Sequence, residues 1–184
     1  MKTILAKENI KYEGWQLCPH WIYKNFKIQG DSIVAFIGEC EVKLTEMVDI
    51  EDIINNEPIY SKSMLSFISE QFNVGLVEGV FRQRLLICTI KEVLEKRGFK
   101  IVRDGDDLFF EGKKLTVSIA TKSMTSILIH TGINIDSSGA AVKASGLTSE
   151  LGIKDINEFA LEVMDKYSKE IDDIILASTK VRGV

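Results

Sequence analysis

Alternating apolar and polar positions divide the chain into predicted strands and helices. The predicted strands are TILAK, SIVAFIGECEV, FKIVRD, DLFFE, KLTVSIAT and SILIHTGINI. Helices are predicted for MLSFISEQF, with Ser61 or Ser63 as its cap, and for the apolar stretch from Val77 to Arg97. A last helix is predicted after Asp155, which forms a capping-box pattern with Glu158. Runs of strands separated by helices predict an α+β fold: one domain over residues 1–184, with a mixed or antiparallel sheet flanked by helices.

The strands KLTVSIAT and SILIHTGINI carry polar side chains on one of their predicted faces. Alternation places Leu115, Val117 and Ile119 toward the core, together with the isoleucines of the second strand. The opposite face then collects a row of mostly small or polar residues: Lys114, Thr116, Ser118, His130, Gly132 and Asn134. Small residues and a glycine indicate that something lies close over this face, either a helix or a ligand. A solvated or helix-covered face and the floor of a binding site both remain open.

Composition and charge narrow the function classes. The net charge of −4 argues against a dedicated nucleic-acid binder, since such proteins carry a basic stripe. No apolar run of about 18 residues is present, so no membrane span is expected, and the N-terminus does not resemble a signal peptide. Cys18, Cys40 and Cys88 form no CxxC pair, which is typical of a reducing, cytoplasmic location. The phosphate-loop, dinucleotide, zinc-protease and serine-hydrolase motifs are all absent from the sequence.

The segment DDLFFEGKKLTVSIA, followed by ILIHTGINID, resembles the central part of the biotin and lipoate protein ligases. In that family an Asn-Asp pair opens a strand, and a lysine seven residues after the Asp begins the next strand. Asp107 and Lys114 have this spacing, and His130, Gly132 and Asn134 stand where the closing motif lies. The whole chain resembles an uncharacterised, largely archaeal family, a domain of unknown function in the same fold superfamily.

The resemblance implies an enzyme that activates or transfers a small carboxylic acid, with ATP and magnesium as cofactors. Lys114 would contact the carboxylate and the phosphate of an adenylate, where a fixed cation stabilises developing charge. Asp107 would orient that lysine or hold the nucleotide, and His130 would be the third catalytic residue. Thr116, Ser118, Gly132 and Asn134 would bind substrate. Lys113 points to the opposite side by alternation and is interpreted as a turn charge.

The chain departs from the ligases in its first half. Their loop of glycines and arginines has no counterpart here, and the nearest segment, FIGECEV, offers Gly38 as a substrate-binding candidate but no arginine. Asp106 replaces the family's Asn. Acyltransferases of this fold use a cysteine after the lysine, whereas all three cysteines here precede Lys114, so that mechanism does not transfer.

Further candidates lie outside the resembling strands. Arg82 and Arg84 are assigned to substrate binding at the start of the long helix, with structural ion pairing as the alternative. The acidic group Asp49, Glu51 and Asp52 matches a helix N-terminus better than a magnesium site, so no metal ligand is assigned. Cys40 is the one cysteine whose position invites a test of reactivity.

Three hypotheses follow. The first is the acyl ligase or transferase described above, and the second is a non-catalytic small-molecule-binding module that lost the phosphate loop. The third is an assembly role as a homodimer formed through the sheet edge.

Overall fold

The computed structural model of the protein describes residues 1–138 and 143–183. Within that part of the chain, strands and helices follow one another in the order β1 (Lys2–Leu5), α1 (Trp21–Phe26), β2 (Ser32–Val42), α2 (Ile50–Asn55), β3 (Ile59–Phe72), α3 (Leu76–Lys96), β4 (Ile101–Asp104), β5 (Asp107–Phe110), β6 (Lys113–Lys114), β7 (Thr116–Lys122), β8 (Ser126–Asp136) and α4 (Ile156–Thr179). None of these helices is long and apolar enough to cross a membrane.

A five-stranded sheet forms the centre of the molecule, with the strand order β1-β2-β3-β8-β7. β1 runs parallel to β2, and every other neighbouring pair is antiparallel. A smaller sheet with the order β4-β5-β6 lies beside it. The predicted α+β class with a mixed sheet is therefore confirmed.

Each face of the large sheet packs against its own hydrophobic core. On one face α3 and α4 cover the sheet, and Leu86 and Phe159 are fully buried there. Asp155 caps α4, because its carboxylate accepts a hydrogen bond from the Glu158 backbone N–H at 2.8 Å, so the predicted N-cap is confirmed. The other face is covered by the chain before β2, and Trp21 is buried there against the sheet. The cavity described below opens on this second face.

The segment MLSFISEQF is a strand, so the helix predicted there is wrong. It belongs to β3, which lies between β2 and β8. Its side chains alternate between the two cores: Leu65 and Phe67 face α3 and α4, and Met64 and Ile68 face the other side. A strand that is buried on both faces reads as a continuous apolar run, which periodicity alone does not separate from a short helix.

The chain between β1 and α1 runs along β2 and brings Tyr12 onto the sheet. The backbone N–H groups of Ile10 and Tyr12 donate to carbonyl groups of β2 at 2.9 Å. Gly38 permits this close approach, because a Cβ there would lie 2.0 Å from the carbonyl oxygen of Ile10.

Candidate functional site

A cavity of about 530 Å³ opens on the face of the large sheet that α3 and α4 leave uncovered. Its floor is formed by β8 and β3, and α2 with its flanking loops forms one wall. Its lining includes Tyr12, Asp52, Asp107, Lys114, His130 and Asn134. Its volume lies within the range of pockets that hold small organic ligands.

Lys114 and Asp107 form an ion pair in the wall of this cavity, with 2.9 Å between Nζ and Oδ2. Asp107 begins β5 and Lys114 ends β6, and these two strands pair in the small sheet. The backbone of Lys114 is also held from the other side, since its N–H donates to Lys143 O and its carbonyl accepts from Ser145 N. Both side chains are about one-third exposed, so a ligand in the cavity has access to them.

Lys113, in contrast, does not line the cavity. Its Nζ lies 4.0 Å from a carboxylate oxygen of Glu150, and its side chain is 43% exposed. The two neighbouring lysines therefore point to different surroundings, as alternation along a strand requires.

The floor of the cavity contains a stacked pair of rings. The centroids of Tyr12 and His130 are 3.7 Å apart, with 13° between the ring planes. His130 Nε2 lies 3.3 Å from the Ser66 hydroxyl. Burial lowers the pKa of His130 to about 3 and raises the pKa of Tyr12 above its ordinary value. Both groups are therefore neutral near pH 7 and can exchange hydrogen bonds with a ligand. A histidine with so low a pKa does not serve as a proton shuttle at that pH.

Carboxylates dominate the charge of the cavity. Six of its described lining residues are acidic, namely Glu46, Asp49, Asp52, Glu57, Asp106 and Asp107, and Lys114 is the single cation among them. The pKa of Asp52 is raised, first by burial and then by the nearby Asp49 and Glu57, while Lys114 acts in the opposite direction. Asp49 is the N-cap of α2 and accepts from the Glu51 N–H at 2.8 Å, so the acidic group does cap a helix. In the described part of the chain, no group of three or more His, Cys, Asp or Glu side chains is arranged to hold a metal ion.

The face predicted for Thr116 and Ser118 is wrong. Leu115 is fully buried in the core under α3 and α4, and the next residue, Thr116, pairs with Ile133 of that same core. Two consecutive residues thus face the same side, and the alternation shifts by one residue between β6 and β7. Because of this shift, Val117 rather than Ser118 shares the face of His130.

Thr116 and Ser118 use their hydroxyl groups mainly within the protein. Thr116 Oγ1 accepts from Leu108 N at 2.8 Å, and Ser118 Oγ lies 2.8 Å from Thr131 Oγ1. Both residues still contribute to the cavity wall, since β7 is the edge strand of the sheet. Their assignment to substrate binding stays a prediction.

Asn134 and Gly132 lie on the predicted face with His130. Asn134 lines the cavity. Gly132 is covered by Met64, because a Cβ on the glycine would lie 2.2 Å from the Met64 sulfur. The small residue at this position therefore accommodates a core side chain, and Gly132 is not among the described lining residues.

Arg82, Arg84 and Gly38 are not among the described residues that line the cavity. Arg82 donates to Gln71 and pairs with Glu78, and Arg84 pairs with Asp106 at 3.3 Å. These contacts match the structural alternative for both arginines.

Cys40, the cysteine singled out by the sequence, is fully buried, and burial raises the pKa of its thiol to about 12. A buried thiol with a raised pKa is a poor nucleophile at neutral pH, so the position of Cys40 does not favour reactivity.

Sequence reasoning missed two features of the cavity. Tyr12 lies far from β8 along the chain, and no local pattern indicates that it stacks on His130. The acidic segment around α2 was visible in the sequence as a run of carboxylates, but its position over Lys114 depends on the tertiary fold.

Comparison with known proteins gives the chain a family and a fold. The family described as "Domain of unknown function (DUF366)" matches residues 1–182. The uncharacterized protein MJ0805 of Methanocaldococcus jannaschii is 45% identical over 180 residues, which cover 95% of this chain and 81% of that protein. A solved structure of a protein of unknown function from Pyrococcus horikoshi is 39% identical, with a TM-score of 0.94, over 100% of this chain and 99% of that one.

A more distant solved structure identifies the fold. The protein Ta0514 from Thermoplasma acidophilum, a putative lipoate protein ligase with bound lipoic acid, has a TM-score of 0.63 at 12% identity. The match covers 93% of this chain and 86% of that one. The fold is that of the biotin and lipoate protein ligases, as the resemblance in the sequence implied.

Proposed function

The chain belongs to the DUF366 family, and from that premise we propose that it binds a small organic acid in the cavity beside Lys114. One observation carries the proposal: Lys114, the single cation among the described lining residues, has its Nζ in the wall of a cavity of about 530 Å³. A lysine in that position offers a charge-assisted contact to a carboxylate. Asp107, 2.9 Å away, fixes the direction of the ammonium group.

The neutral groups of the floor support the same class of ligand. Asn134 and Tyr12 line the cavity, and both offer neutral polar groups that can bond to the polar parts of an acid without adding charge. Two solved structures of the same fold contain biotin and lipoic acid, which are both carboxylic acids. The apolar side chains of Val117 and Ile119 also line the cavity and suit an aliphatic ligand body.

ATP-dependent activation of the acid is a second candidate function. The spacing of Asp107 and Lys114, which resembles that of the ligases, favours it. The acidic lining opposes it, because a triphosphate would add several negative charges beside the four lining carboxylates that form no ion pair with a described residue, Glu46, Asp49, Asp52 and Glu57. At an effective dielectric constant of about 20, each pair of like charges about 6 Å apart costs about 3 kcal/mol. Arg82 and Arg84, which could offset this cost, pair with other residues. Binding without activation is therefore our conclusion.

Calorimetry with a panel of small acids tests the proposal. Lipoate, biotin and straight-chain carboxylates would be titrated into the wild type, Lys114→Ala and Lys113→Ala. Lys113→Ala is a matched control. It removes the same charge from the neighbouring residue, whose side chain lies outside the cavity. We expect Lys114→Ala to weaken binding of the preferred acid by about 10- to 100-fold, the scale of a charge-assisted hydrogen bond, and Lys113→Ala to leave it nearly unchanged.

The same titration with ATP and magnesium separates the two candidates. ATP binding that is lost in Lys114→Ala would favour activation. If no acid binds, or if both lysine variants weaken binding equally, the proposed function is wrong.

A further inference from the structure

Part of the cavity wall carries negative charge that no ion pair among the described residues neutralises. Four carboxylates from the segment 46–57 line it, and we name this set the acidic wall: Glu46, Asp49, Asp52 and Glu57. Among the ion pairs of the described residues, none involves a member of the acidic wall, whereas Asp106 and Asp107 are paired with Arg84 and Lys114.

The carboxylates of the acidic wall interact electrostatically with one another. The pKa of Asp52 is raised, and its two acidic neighbours Asp49 and Glu57 contribute to the rise after burial. Lys114 lowers the same pKa, which shows that the lysine and the acidic wall lie within electrostatic reach of each other. The lysine does not cancel the effect, because Asp107 already holds its ammonium group at 2.9 Å.

A second, independent feature indicates a polar ligand at this place. Tyr12 is only 4% exposed and lines the cavity, yet its hydroxyl makes no hydrogen bond to any described residue. No buried side-chain nitrogen or oxygen of the described residues lacks a partner while fully shielded from solvent, so the Tyr12 hydroxyl keeps some exposure, and the residue lines the cavity. An almost buried phenol whose hydroxyl has no partner among the described residues can donate a hydrogen bond to a ligand or accept one from it.

We propose that the cavity selects a zwitterion, a small molecule whose carboxylate contacts Lys114 and whose ammonium or guanidinium group contacts the acidic wall. Amino acids and ω-amino acids are the simplest members of this class. The inference rests on the proposed function, since it keeps Lys114 as the acid contact and adds a second point of recognition. An organic cation suits the acidic wall better than a metal ion, because the described carboxylates do not converge in groups of three or more.

Three matched sets of ligands test this inference by calorimetry. They are ω-amino acids of four, six and eight carbons, the plain carboxylates of the same lengths, and the plain alkylamines. We expect the best ω-amino acid to bind at least roughly ten-fold more tightly than its matched carboxylate, which corresponds to about one added charge-assisted contact. If the plain carboxylates bind as tightly as the amino acids, the cavity does not select a zwitterion, and the proposed binding of a small acid is unaffected. Binding of the amines alone, or of nothing in the three sets, would also overturn the zwitterion, and the titrations with lipoate and biotin described above would then decide the proposed function.

A pair of variants locates the second contact. Asp52→Asn removes a charge of the acidic wall, and Glu51→Gln removes a charge from the same helix at an exposed position outside the cavity lining. We expect Asp52→Asn to weaken the ω-amino acid about five-fold or more and to leave the plain carboxylate equally or more tightly bound. Glu51→Gln should change neither by more than about two-fold. If Asp52→Asn weakens both ligands equally, or weakens neither, the acidic wall does not recognise a cation.

Discussion

Acidification from pH 7 to pH 5 should destabilise the protein mainly through His130. This side chain is 3% exposed, stacks on Tyr12 and has only Ser66 as a hydrogen-bond partner among the described residues. Burial lowers the pKa of His130 to about 3, whereas an unfolded histidine titrates near pH 6.5. The folded pKa is the lower one, so the stability that neutral His130 contributes is fully present above about pH 6.5 and is lost as the pH falls toward 3.

The size of the effect follows from the distance between pH 5 and the unfolded pKa. At pH 5 the unfolded histidine is protonated and the folded one is not. This pH lies about 1.5 units below the unfolded pKa, and each unit costs about 1.36 kcal/mol of stability. We therefore expect the free energy of unfolding to fall by about 2 kcal/mol between pH 7 and pH 5. Most carboxylates contribute little in this window, because they titrate near pH 4.

Urea denaturation at pH 7, 6 and 5 measures this change in the wild type and in His130→Gln. The variant has no titratable group at this position, so most of the loss on acidification should disappear, whatever its stability at pH 7. A wild type that loses less than about 0.5 kcal/mol, or a variant that keeps the wild-type slope, would refute the reasoning about the buried histidine.

Two further predictions concern packing and charge near the cavity. Gly38→Ala should cost about 2–3 kcal/mol of stability, because the new Cβ would lie 2.0 Å from the Ile10 carbonyl oxygen. Gly75→Ala, where nothing lies within 4 Å of the new Cβ, should cost less than about 1 kcal/mol in the same denaturation assay, and equal costs would contradict the close approach. The pKa of Asp52 is raised, so its ionised form is disfavoured in the folded state. Asp52→Asn should therefore stabilise the protein by less than about 1 kcal/mol at pH 7, and should have no stabilising effect at pH 3. A variant that is less stable than the wild type at pH 7 in thermal denaturation would contradict this.

Local sequence signals predicted the elements that have clear periodicity or caps. α3 and α4 carry long apolar stripes, and α4 starts at the predicted Asp155 cap. α1 was not predicted, because it has six residues and its two caps, His20 and Lys27, are left-handed non-glycine residues with no side-chain cap bond at the start. Such an end carries no signature in the sequence.

The candidate site was predictable only where its residues are close along the chain. The resemblance implied that Asp107 orients Lys114 or holds a nucleotide, and the structure has the two side chains in an ion pair. The break of alternation at Leu115 was not predictable, because it depends on backbone hydrogen bonds from the segment after β8 to Lys114. Tyr12 pairs with β2, and β2 reaches β8 only through β3, so its stacking on His130 depends on the assembled sheet and no local pattern encodes that contact.

The ratio of two dissociation constants tests the central claim most directly. Calorimetry would give the affinity of the same small acid for Lys114→Ala and for Lys113→Ala. If Lys114 holds the acid in the cavity, its variant binds about 10- to 100-fold more weakly than the control. A ratio near one would show that the cavity does not bind its ligand through Lys114.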